Sequence, residues 1–414
     1  MDDIESPRGS RWRKAMDREQ IYREITVLSL EQALALPYGT YRLVQEGMRV
    51  IRIEAPPRGD PNRYVGIEAV GEGGMNSYFL SVNAGKESIT LNLKEEEGKR
   101  ILCDLISSLD VDIFASNQIP RNYPVLGIDY ETLRRVKEDI IWVGITGYGP
   151  DVFEPAYDPI IQAECGLMEI NGERERSPMN IGVPIVDMGA GEHVYGQIMK
   201  ALFEKVLTGQ GRRIDISLFE SGLSWLSTHL PMAMSFGLEI SRRGNTHQFF
   251  APVCLYETAD GWVYIAIGTD RQWESLIHLG EYRHLDKVEY KTNSGRCGDS
   301  EHIIQEIQKV VREKTGEELV AQMRSAGIVA GRTRALAEVS KDLIVQKKTL
   351  TSKDTRTDTE IALGSPPLIT PYLESMEYRL SFPPRLGEHN EAIYGGGLGM
   401  SPHRIAELRE RGMI

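Results

Sequence analysis

The chain reads GVPIVDMGAGEHVYGQIMKALFEKVLTGQGRRIDISLFE from Gly182 to Glu220, and this stretch predicts both the fold and a reactive group. Its first apolar residues predict a short strand that ends at Asp187, followed by a glycine loop and then a helix with one apolar face. Alternating apolar and polar residues over 214–218 predict the next strand. A carboxylate is therefore expected at the end of a strand, just before a helix N-terminus.

Asp187 is the candidate catalytic residue of this stretch. The partial positive charge and the free N–H groups of a helix start favour an ionised carboxylate and can hold a developing oxyanion. An ionised aspartate with open space in front of it can act as a nucleophile, and we expect Gly189 to leave that space. The alternative from the local pattern is a carboxylate that only stabilises the helix. A dinucleotide turn is not expected, because the third glycine of the GxGxxG motif comes too late.

The composition is that of an ordinary soluble protein of about two to three domains, with 414 residues, of which 41% are hydrophobic and 26% charged. The net charge of -12 argues against binding to nucleic acid or to an anionic membrane. No apolar run has the length that spans a bilayer. Residues 1–20 are charged and lack the apolar core of a secretory signal, so they predict a flexible N-terminal arm.

The four cysteines are far apart in the sequence and form no CxxC motif. They are typical of a reducing cytoplasm and indicate neither disulfides nor zinc. The eight histidines show no HExxH motif and no paired spacing, so we expect no metal site.

Strand and helix patterns alternate through the first half of the chain and predict an α/β fold with a large doubly wound parallel sheet. The predicted strands are 25–30, 49–54, 88–93, 111–114 and 140–145. We assign residues 21–235 to the first part of this large domain. Residues 240–340 predict a smaller inserted α+β domain that begins with a hairpin around Asp260-Gly261. Residues 345–414 are a charged connector and a C-terminal return to the large domain.

Several segments resemble the family III CoA-transferases in sequence and in order, and together they cover roughly residues 25–414. The segments are VIRIEAPPRGDPNR (50–63), NAGKESITLNLKEEEGKRIL (83–102), IIWVGITGYGP (140–150), AYDPIIQAECGLM (156–168), the opening stretch with its end TGQGRRIDISLFES (208–221), RGNTH (243–247), APVCLYETADGWVYIAIGTDRQW (251–273) and PPRLGEH (383–389). The resemblance implies that Asp187 attacks an acyl-CoA thioester and passes through a mixed anhydride and an aspartyl-CoA thioester. It also implies a CoA thioester as substrate, no tightly bound cofactor, and an interlaced dimer, either a homodimer or a heterodimer with a related subunit.

The resemblance also implies which residues receive coenzyme A. Basic and glycine-rich loops suit its phosphates and adenine. The candidates are Lys86, Arg58, Arg63 and Arg121, with Gly244 and Asn245 in the loop that is glycine-rich in oxalate-type members. This chain departs from the family at Ala55, where a basic residue is frequent.

Tyr157 separates two branches of the family and is a further candidate catalytic residue. The resemblance implies that racemases have a His-Asp pair at the position of Tyr157 and Asp158. It implies that transferases have a tyrosine at the position of Tyr157. A phenol is a poor base at neutral pH, so transfer is favoured over racemisation.

The apolar residues Leu34, Leu36, Phe249 and Phe250 suit a larger or aromatic acid. The chain resembles a subunit of the succinyl-CoA:benzylsuccinate CoA-transferases of anaerobic toluene breakdown, which implies succinyl-CoA as donor and a benzylsuccinate-like dicarboxylate as acceptor. Two alternatives stay open. They are a non-catalytic partner subunit of a heteromeric CoA-transferase and a racemase-like isomerase.

Overall fold

The computed structural model describes residues 21–414, so the arm expected over residues 1–20 lies outside the described residues. The chain divides into two compact units. The first contains the described residues up to 167 together with 181–231 and 347–414, and the second contains 168–180 and 232–346. The second unit thus includes residues 168–180, which the sequence analysis assigned to the first part of the large domain.

The described residues form twelve strands and seventeen α-helices. The strands are β1 (Thr26–Leu30), β2 (Arg49–Glu54), β3 (Glu87–Thr90), β4 (Ile113–Ser116), β5 (Ile141–Thr146), β6 (Arg213–Ser217), β7 (Val253–Thr258), β8 (Gly261–Ala266), β9 (Val329–Arg332), β10 (Leu350–Lys353), β11 (Glu360–Leu363) and β12 (Arg379–Ser381). The helices are α1 (Ala35–Gln45), α2 (Ser77–Leu80), α3 (Glu96–Ser108), α4 (Tyr123–Leu126), α5 (Tyr130–Val136), α6 (Asp158–Glu164), α7 (Ile185–Thr208), α8 (Leu218–Ser224), α9 (His229–Phe236), α10 (Asp270–His278), α11 (Asn293–Gly298), α12 (Ser300–Val311), α13 (Gly316–Ser325), α14 (Leu336–Val339), α15 (Leu343–Lys348), α16 (Pro371–Ser375) and α17 (Pro402–Glu410). Short 3₁₀ turns cover Pro61–Tyr64, Pro120–Asn122, Gly280–Leu285 and Val288–Lys291, and a π-helical turn covers Glu391–Gly397.

Six parallel strands build the sheet of the first unit in the order β3-β2-β1-β4-β5-β6. The order reverses between β1 and β4, which is the doubly wound arrangement whose ligands bind at the carboxyl ends of the strands. The central strands are buried along their whole length, in keeping with their nearly continuous apolar sequences. The predicted doubly wound α/β fold is confirmed.

Helices α1 and α7 cross at two glycines. A Cβ atom on Gly191 would lie 2.8 Å from the carbonyl oxygen of Ala35 and 3.0 Å from the backbone nitrogen of Gly39. The absence of both side chains therefore allows the two backbones to approach closely. Because Gly191 lies one helical turn after Asp187, this crossing fixes where the start of α7 lies.

The C-terminal part of the chain returns to the first unit. Strands β10, β11 and β12 form a separate three-stranded sheet there. The side chain of Asn390 accepts a hydrogen bond from the backbone N–H of Thr90 (2.9 Å), and the hydroxyl of Tyr394 donates to the carbonyl of Thr90 (2.7 Å). These bonds hold the C-terminal segment on the end of β3.

The second unit contains an antiparallel sheet of the order β7-β8-β9 and its own apolar core. The hairpin of β7 and β8 turns at Ala259 and Asp260, as the Asp-Gly pattern predicts. Trp273 and Tyr256 are almost completely buried in this core, so the sheet and the helices around it pack as a unit of their own.

The prediction of a strand before Asp187 and a glycine loop after it is wrong. Helix α7 begins at Ile185, directly after Pro184, and continues without interruption through Gly189 and Gly191. Small residues at these positions serve close packing of the helix, whereas the sequence analysis took them for a loop. None of the helices over residues 21–414 has the length and apolar character needed to cross a membrane.

Candidate active site

The candidate active site lies at the N-terminus of α7, where Asp187 occupies the first turn. Helix α7 is the crossover between the parallel neighbours β5 and β6, so its N-terminus is at the carboxyl edge of the sheet. This is the edge at which open α/β sheets bind ligands.

Asp158 caps the helix that carries Asp187. One of its carboxylate oxygens accepts hydrogen bonds from the backbone N–H groups of Val186 (2.7 Å) and Asp187 (3.0 Å). The other accepts a hydrogen bond from the side-chain amide of Gln162 at 2.6 Å. Asp158 is buried, and it occupies the N–H groups that the sequence analysis expected to be free.

The electrostatic environment of Asp187 differs from the expected one. Burial, and then the neighbouring charge of Asp158, raise the pKa of Asp187 to about 7. The sequence pattern predicts that the helix N-terminus favours ionisation. The first free N–H groups of α7 are instead bonded to a second carboxylate, whose charge repels that of Asp187. A carboxylate with a raised pKa is a stronger nucleophile once it is ionised.

Two tyrosines belong to this part of the molecule. Tyr157 directly precedes Asp158 and is 73% exposed, so its side chain is not packed under the loop. Tyr78 lies on α2, and its pKa is raised by burial and then by the charges of Asp187 and Asp158. The hydroxyl of Tyr78 is therefore protonated at neutral pH within electrostatic range of both carboxylates.

Gly189 does not leave space for a substrate in the way that the sequence analysis expected. A Cβ atom on Gly189 would lie 2.8 Å from two atoms of the Trp225 indole. The same indole stacks on His193 one turn further along α7, with ring centroids 5.9 Å apart. The space beside Gly189 is thus filled by Trp225.

Arg58 and Arg121 are the exposed members of the predicted coenzyme A set. Arg58 follows the carboxyl end of β2, and its guanidinium lies over the ring of Tyr64 at 5.2 Å. Arg121 follows the carboxyl end of β4 in the short turn Pro120–Asn122. Both are exposed and lie at the carboxyl edge of the sheet.

Lys86 and Arg63 are placed differently, because both are buried in ion pairs. The ammonium group of Lys86 donates to the carboxylate of Glu31 (2.8 Å), to the carbonyl of Pro37 (2.8 Å) and to the side chain of Asn83 (3.0 Å). Burial lowers the pKa of Lys86 to about 8. The guanidinium of Arg63 forms two hydrogen bonds with Glu54. The donors of Lys86 are all used inside the protein, so this structure does not present Lys86 to a coenzyme A phosphate.

Gly244 and Asn245 lie in a turn of the second unit. Gly244 has a positive φ of 60°, and its N–H donates to the carbonyl of Gly172 at 2.8 Å. The carbonyl of Asn245 accepts a hydrogen bond from the hydroxyl of Tyr264 at 3.1 Å. The turn is therefore anchored to residues of its own unit at both positions.

A cavity of about 360 Å³ lies on another side of α7, beside the edge strand β6. Its lining includes His193, Arg213 and Ser221 and does not include Asp187. We therefore place the candidate site by the carboxylates and not by this cavity. Over residues 21–414 there is no group of three or more histidines, cysteines, aspartates or glutamates that could hold a metal ion.

Asp158 and Tyr78 are not among the candidate site residues that the sequence predicts. Asp158 lies in the segment AYDPIIQAECGLM (156–168), where only Tyr157 is a candidate catalytic residue by sequence. Its signal was an aspartate followed by proline, which is typical of a helix start. Tyr78 had no local signal, because only the packing of α2 brings it near Asp187.

The chain matches the model of CoA-transferase family III over residues 22–390 and therefore belongs to that family. It is 30% identical to human succinyl-CoA:glutarate CoA-transferase over 94% of this chain and 89% of that protein. It is 31% identical to the succinate–glutarate CoA-transferase of Agrobacterium fabrum over 89% of this chain and 94% of that protein. The crystal structure of a CaiB/BaiF family protein from Brucella suis matches with a TM-score of 0.77 and 27% identity, over 90% of this chain and 98% of that one. The chain is an enzyme of the CoA-transferase class, whose substrates are CoA thioesters and carboxylic acids.

Proposed function

We propose that this enzyme transfers coenzyme A between two carboxylic acids through covalent intermediates on Asp187. The ionised carboxylate of Asp187 attacks the thioester carbonyl of the donor, and the CoA thiolate leaves to give a mixed anhydride. The thiolate then attacks the carbonyl of the aspartyl group, which releases the donor acid as its carboxylate and leaves an aspartyl-CoA thioester. The acceptor carboxylate displaces the thiolate again, and the thiolate takes the acceptor acyl group and restores Asp187.

The observation that carries this proposal is the environment of Asp187 at the first turn of α7. Its carboxylate is partly buried, at the carboxyl edge of the sheet, with a pKa raised to about 7 by burial and by Asp158. A purely structural carboxylate at a helix start is normally stabilised as an anion by the helix N–H groups. Here those groups are bonded to Asp158, so Asp187 is left as the reactive member of the pair.

We propose succinyl-CoA as the donor and a dicarboxylic acid as the acceptor. Support comes from the human and Agrobacterium relatives, whose names give succinyl-CoA or succinate together with glutarate. The benzylsuccinate-like acceptor expected from the sequence stays a prediction. An acceptor panel of glutarate, oxalate and both enantiomers of benzylsuccinate distinguishes an aliphatic from an aryl-substituted preference.

We further propose that Arg58 and Arg121 contact the phosphates of coenzyme A, because both are exposed cations at the carboxyl edge of the sheet. An interlaced dimer, with an identical or a related partner, is part of the same proposal and rests on the family resemblance. Measurement of the native mass of the purified chain, alone and with a related subunit, tests the assembly.

The decisive experiment traps the acyl group on the enzyme. The chain is mixed with succinyl-CoA and hydroxylamine, digested, and analysed by mass spectrometry. We expect an aspartyl hydroxamate at Asp187, loss of exchange activity with time, and no modification in the Asp187→Asn variant. Acyl exchange by the wild-type enzyme with an unmodified Asp187 would contradict the covalent route. Exchange that appears only after a related subunit is added, with the trapped aspartate in that subunit, would identify this chain as the non-catalytic partner.

A further inference from the structure

Helix α7 follows a residue that cannot cap it. Its N-cap position is Pro184, whose side chain makes no capping hydrogen bond. The N–H groups at a buried helix start need acceptors from elsewhere in the protein. For Val186 and Asp187 that acceptor is one oxygen of Asp158, which comes from helix α6. The position of Asp187 therefore depends on how the carboxylate of Asp158 is held.

Gln162 holds the other oxygen of Asp158. The two residues lie four positions apart on α6, so their side chains are on the same face of that helix. The amide nitrogen of Gln162 donates to the carboxylate at 2.6 Å, and its amide oxygen accepts a hydrogen bond from the backbone N–H of Ile181 at 2.8 Å. Gln162 is completely buried. A partner that is lost there is not replaced by bulk water, so each bond is costly to break.

The two partners of Gln162 require an amide between them. An ionised carboxylate can only accept a hydrogen bond, and a backbone N–H can only donate one. A side chain that satisfies both must donate at one end and accept at the other, and glutamine does this in a single orientation of its amide. The amide of Gln162 thus joins Ile181, in the segment that leads into α7, to the residue that caps α7.

We propose that Gln162 is a positioning residue that holds the carboxylate of Asp158 in its capping orientation and thereby keeps Asp187 where it reacts. This inference rests on the proposed function of Asp187. If the carboxylate of Asp158 rotated, the N–H groups of Val186 and Asp187 would lose their acceptor and the first turn of α7 would loosen. A shift of about 1 Å in the nucleophile is enough to slow acyl transfer. Gln162 therefore acts on the rate through Asp158, without touching the substrate.

The test exchanges the polar groups of the pair. In Gln162→Glu the side chain keeps its size and can still accept from Ile181, but its carboxylate faces that of Asp158. In Asp158→Asn the oxygen can still cap α7, but the new amide N–H groups face those of Gln162. In the double variant the new asparagine caps α7 and donates to the new glutamate, which still accepts from Ile181. The double variant can therefore form every hydrogen bond of the wild type, and its net charge is the same.

We expect each single variant to lower kcat for acyl exchange by about ten- to hundredfold, with little change in the KM of the acyl-CoA. The double variant should recover most of the wild-type kcat. Rates are compared on the alkaline plateau of the pH profile, so that a changed ionisation of Asp187 does not contribute. Gln162→Met fills a similar volume and makes neither hydrogen bond, so it should lower kcat and should not rescue Asp158→Asn.

The matched control is Gln308 on α12, in the second unit. Its amide also donates at one end and accepts at the other, with the carbonyl of Glu257 at 2.9 Å and the backbone N–H of Glu257 at 3.0 Å. Gln308→Glu should leave kcat unchanged. The activity of every variant is expressed per folded molecule, measured by near-ultraviolet circular dichroism.

A normal kcat in Gln162→Glu would overturn the inference, as would losses from the two single substitutions that multiply in the double variant. Either result leaves the proposed function intact, because that function is judged by acyl trapping at Asp187 in the wild-type enzyme. A wild-type enzyme that exchanges acyl groups without modification of Asp187 would instead remove the proposed function, whatever the variants do.

Discussion

A carboxylate oxygen of Asp158 lies 3.0 Å from the backbone nitrogen of Asp187 and accepts its hydrogen bond. The residue that caps helix α7 is therefore bonded to the backbone of Asp187 and at the same time repels its side chain. This pairing places two carboxylates in different roles. One is buried and fully hydrogen-bonded, and the other has a pKa near neutrality and is available for chemistry.

The first prediction concerns the pH dependence of acyl exchange. Because Asp187 must be ionised to attack, kcat/KM should rise as the pH passes through about 7. Asp158→Asn keeps an oxygen that can cap α7 but removes the negative charge, so the pKa of Asp187 should fall and the acidic limb should move to lower pH. The control is Asp129→Asn, which changes a cap of the same kind on α5, where Asp129 accepts from Thr132 at 2.9 Å. An acidic limb that stays in place in Asp158→Asn would show that Asp158 does not set the pKa of Asp187.

The second prediction is that ionised Asp187 destabilises the folded protein. The folded pKa of Asp187 is raised above its ordinary value of 3.8, so the folded state holds the proton more tightly than the unfolded state. The contribution of Asp187 to stability is full below pH 4 and is lost as the pH rises to about 7. Asp187→Asn should therefore be inactive, yet more stable than the wild type by about 1–3 kcal/mol at pH 8. Urea unfolding of both proteins should show this gain at pH 8 and no gain at pH 4, and an equal gain at both values would contradict the electrostatic cause.

The third prediction uses three glycines of the same helix. Gly189→Ala should destabilise the protein by about 1–3 kcal/mol, because the new methyl group meets the Trp225 indole at 2.8 Å. Gly191→Ala should cost more, since two of the atoms that it meets belong to the backbone of α1, which cannot rotate away. Gly196 is exposed and has no atom within 4 Å of the added carbon, so Gly196→Ala should stabilise by about 0.5–1 kcal/mol. Thermal unfolding of the three variants gives this order, and a destabilised Gly196→Ala would contradict it.

The fold was predictable because its signals are local. The strands of the parallel sheet are short apolar runs, and the helix over 194–202 repeats its apolar residues at helical spacing. The start of α7 was mispredicted because glycines at 189 and 191 suggest a loop when the helices that pack against them are unknown. By helical spacing Val206 falls on the apolar face of α7, yet it is 50% exposed, while Lys205 is buried and pairs with Asp112 at 3.1 Å. Such a buried pair has no local signature.

The candidate site was predictable only in part, for the same physical reason. Asp187 could be selected because it stands just before a helical pattern and because the surrounding segments resemble the family. Asp158 acts through hydrogen bonds to a segment far from it in the sequence, and only the fold brings Tyr78 within electrostatic range of Asp187. The burial of Lys86 and Arg63 in ion pairs could not be predicted either. In the sequence, a lysine that is buried beside a carboxylate cannot be told apart from a lysine that binds a phosphate.

The last prediction separates buried from exposed cations among the residues first assigned to coenzyme A. Lys86→Met leaves the carboxylate of Glu31 buried without its main partner, so it should destabilise the protein by about 3–5 kcal/mol. Arg58→Gln and Arg121→Gln change exposed residues and should alter stability by no more than about 0.5 kcal/mol. If these arginines contact the phosphates, each substitution should raise the KM of the acyl-CoA several-fold, and the effect should shrink with added salt because exposed charges are screened.

The control is Arg134→Gln, since Arg134 is also exposed and lies over a tyrosine ring, that of Tyr130, at 5.9 Å. An unchanged KM in both Arg58→Gln and Arg121→Gln would remove the carboxyl edge of the sheet as the phosphate site, whereas a raised KM in Arg134→Gln would show that any lost surface charge has this effect.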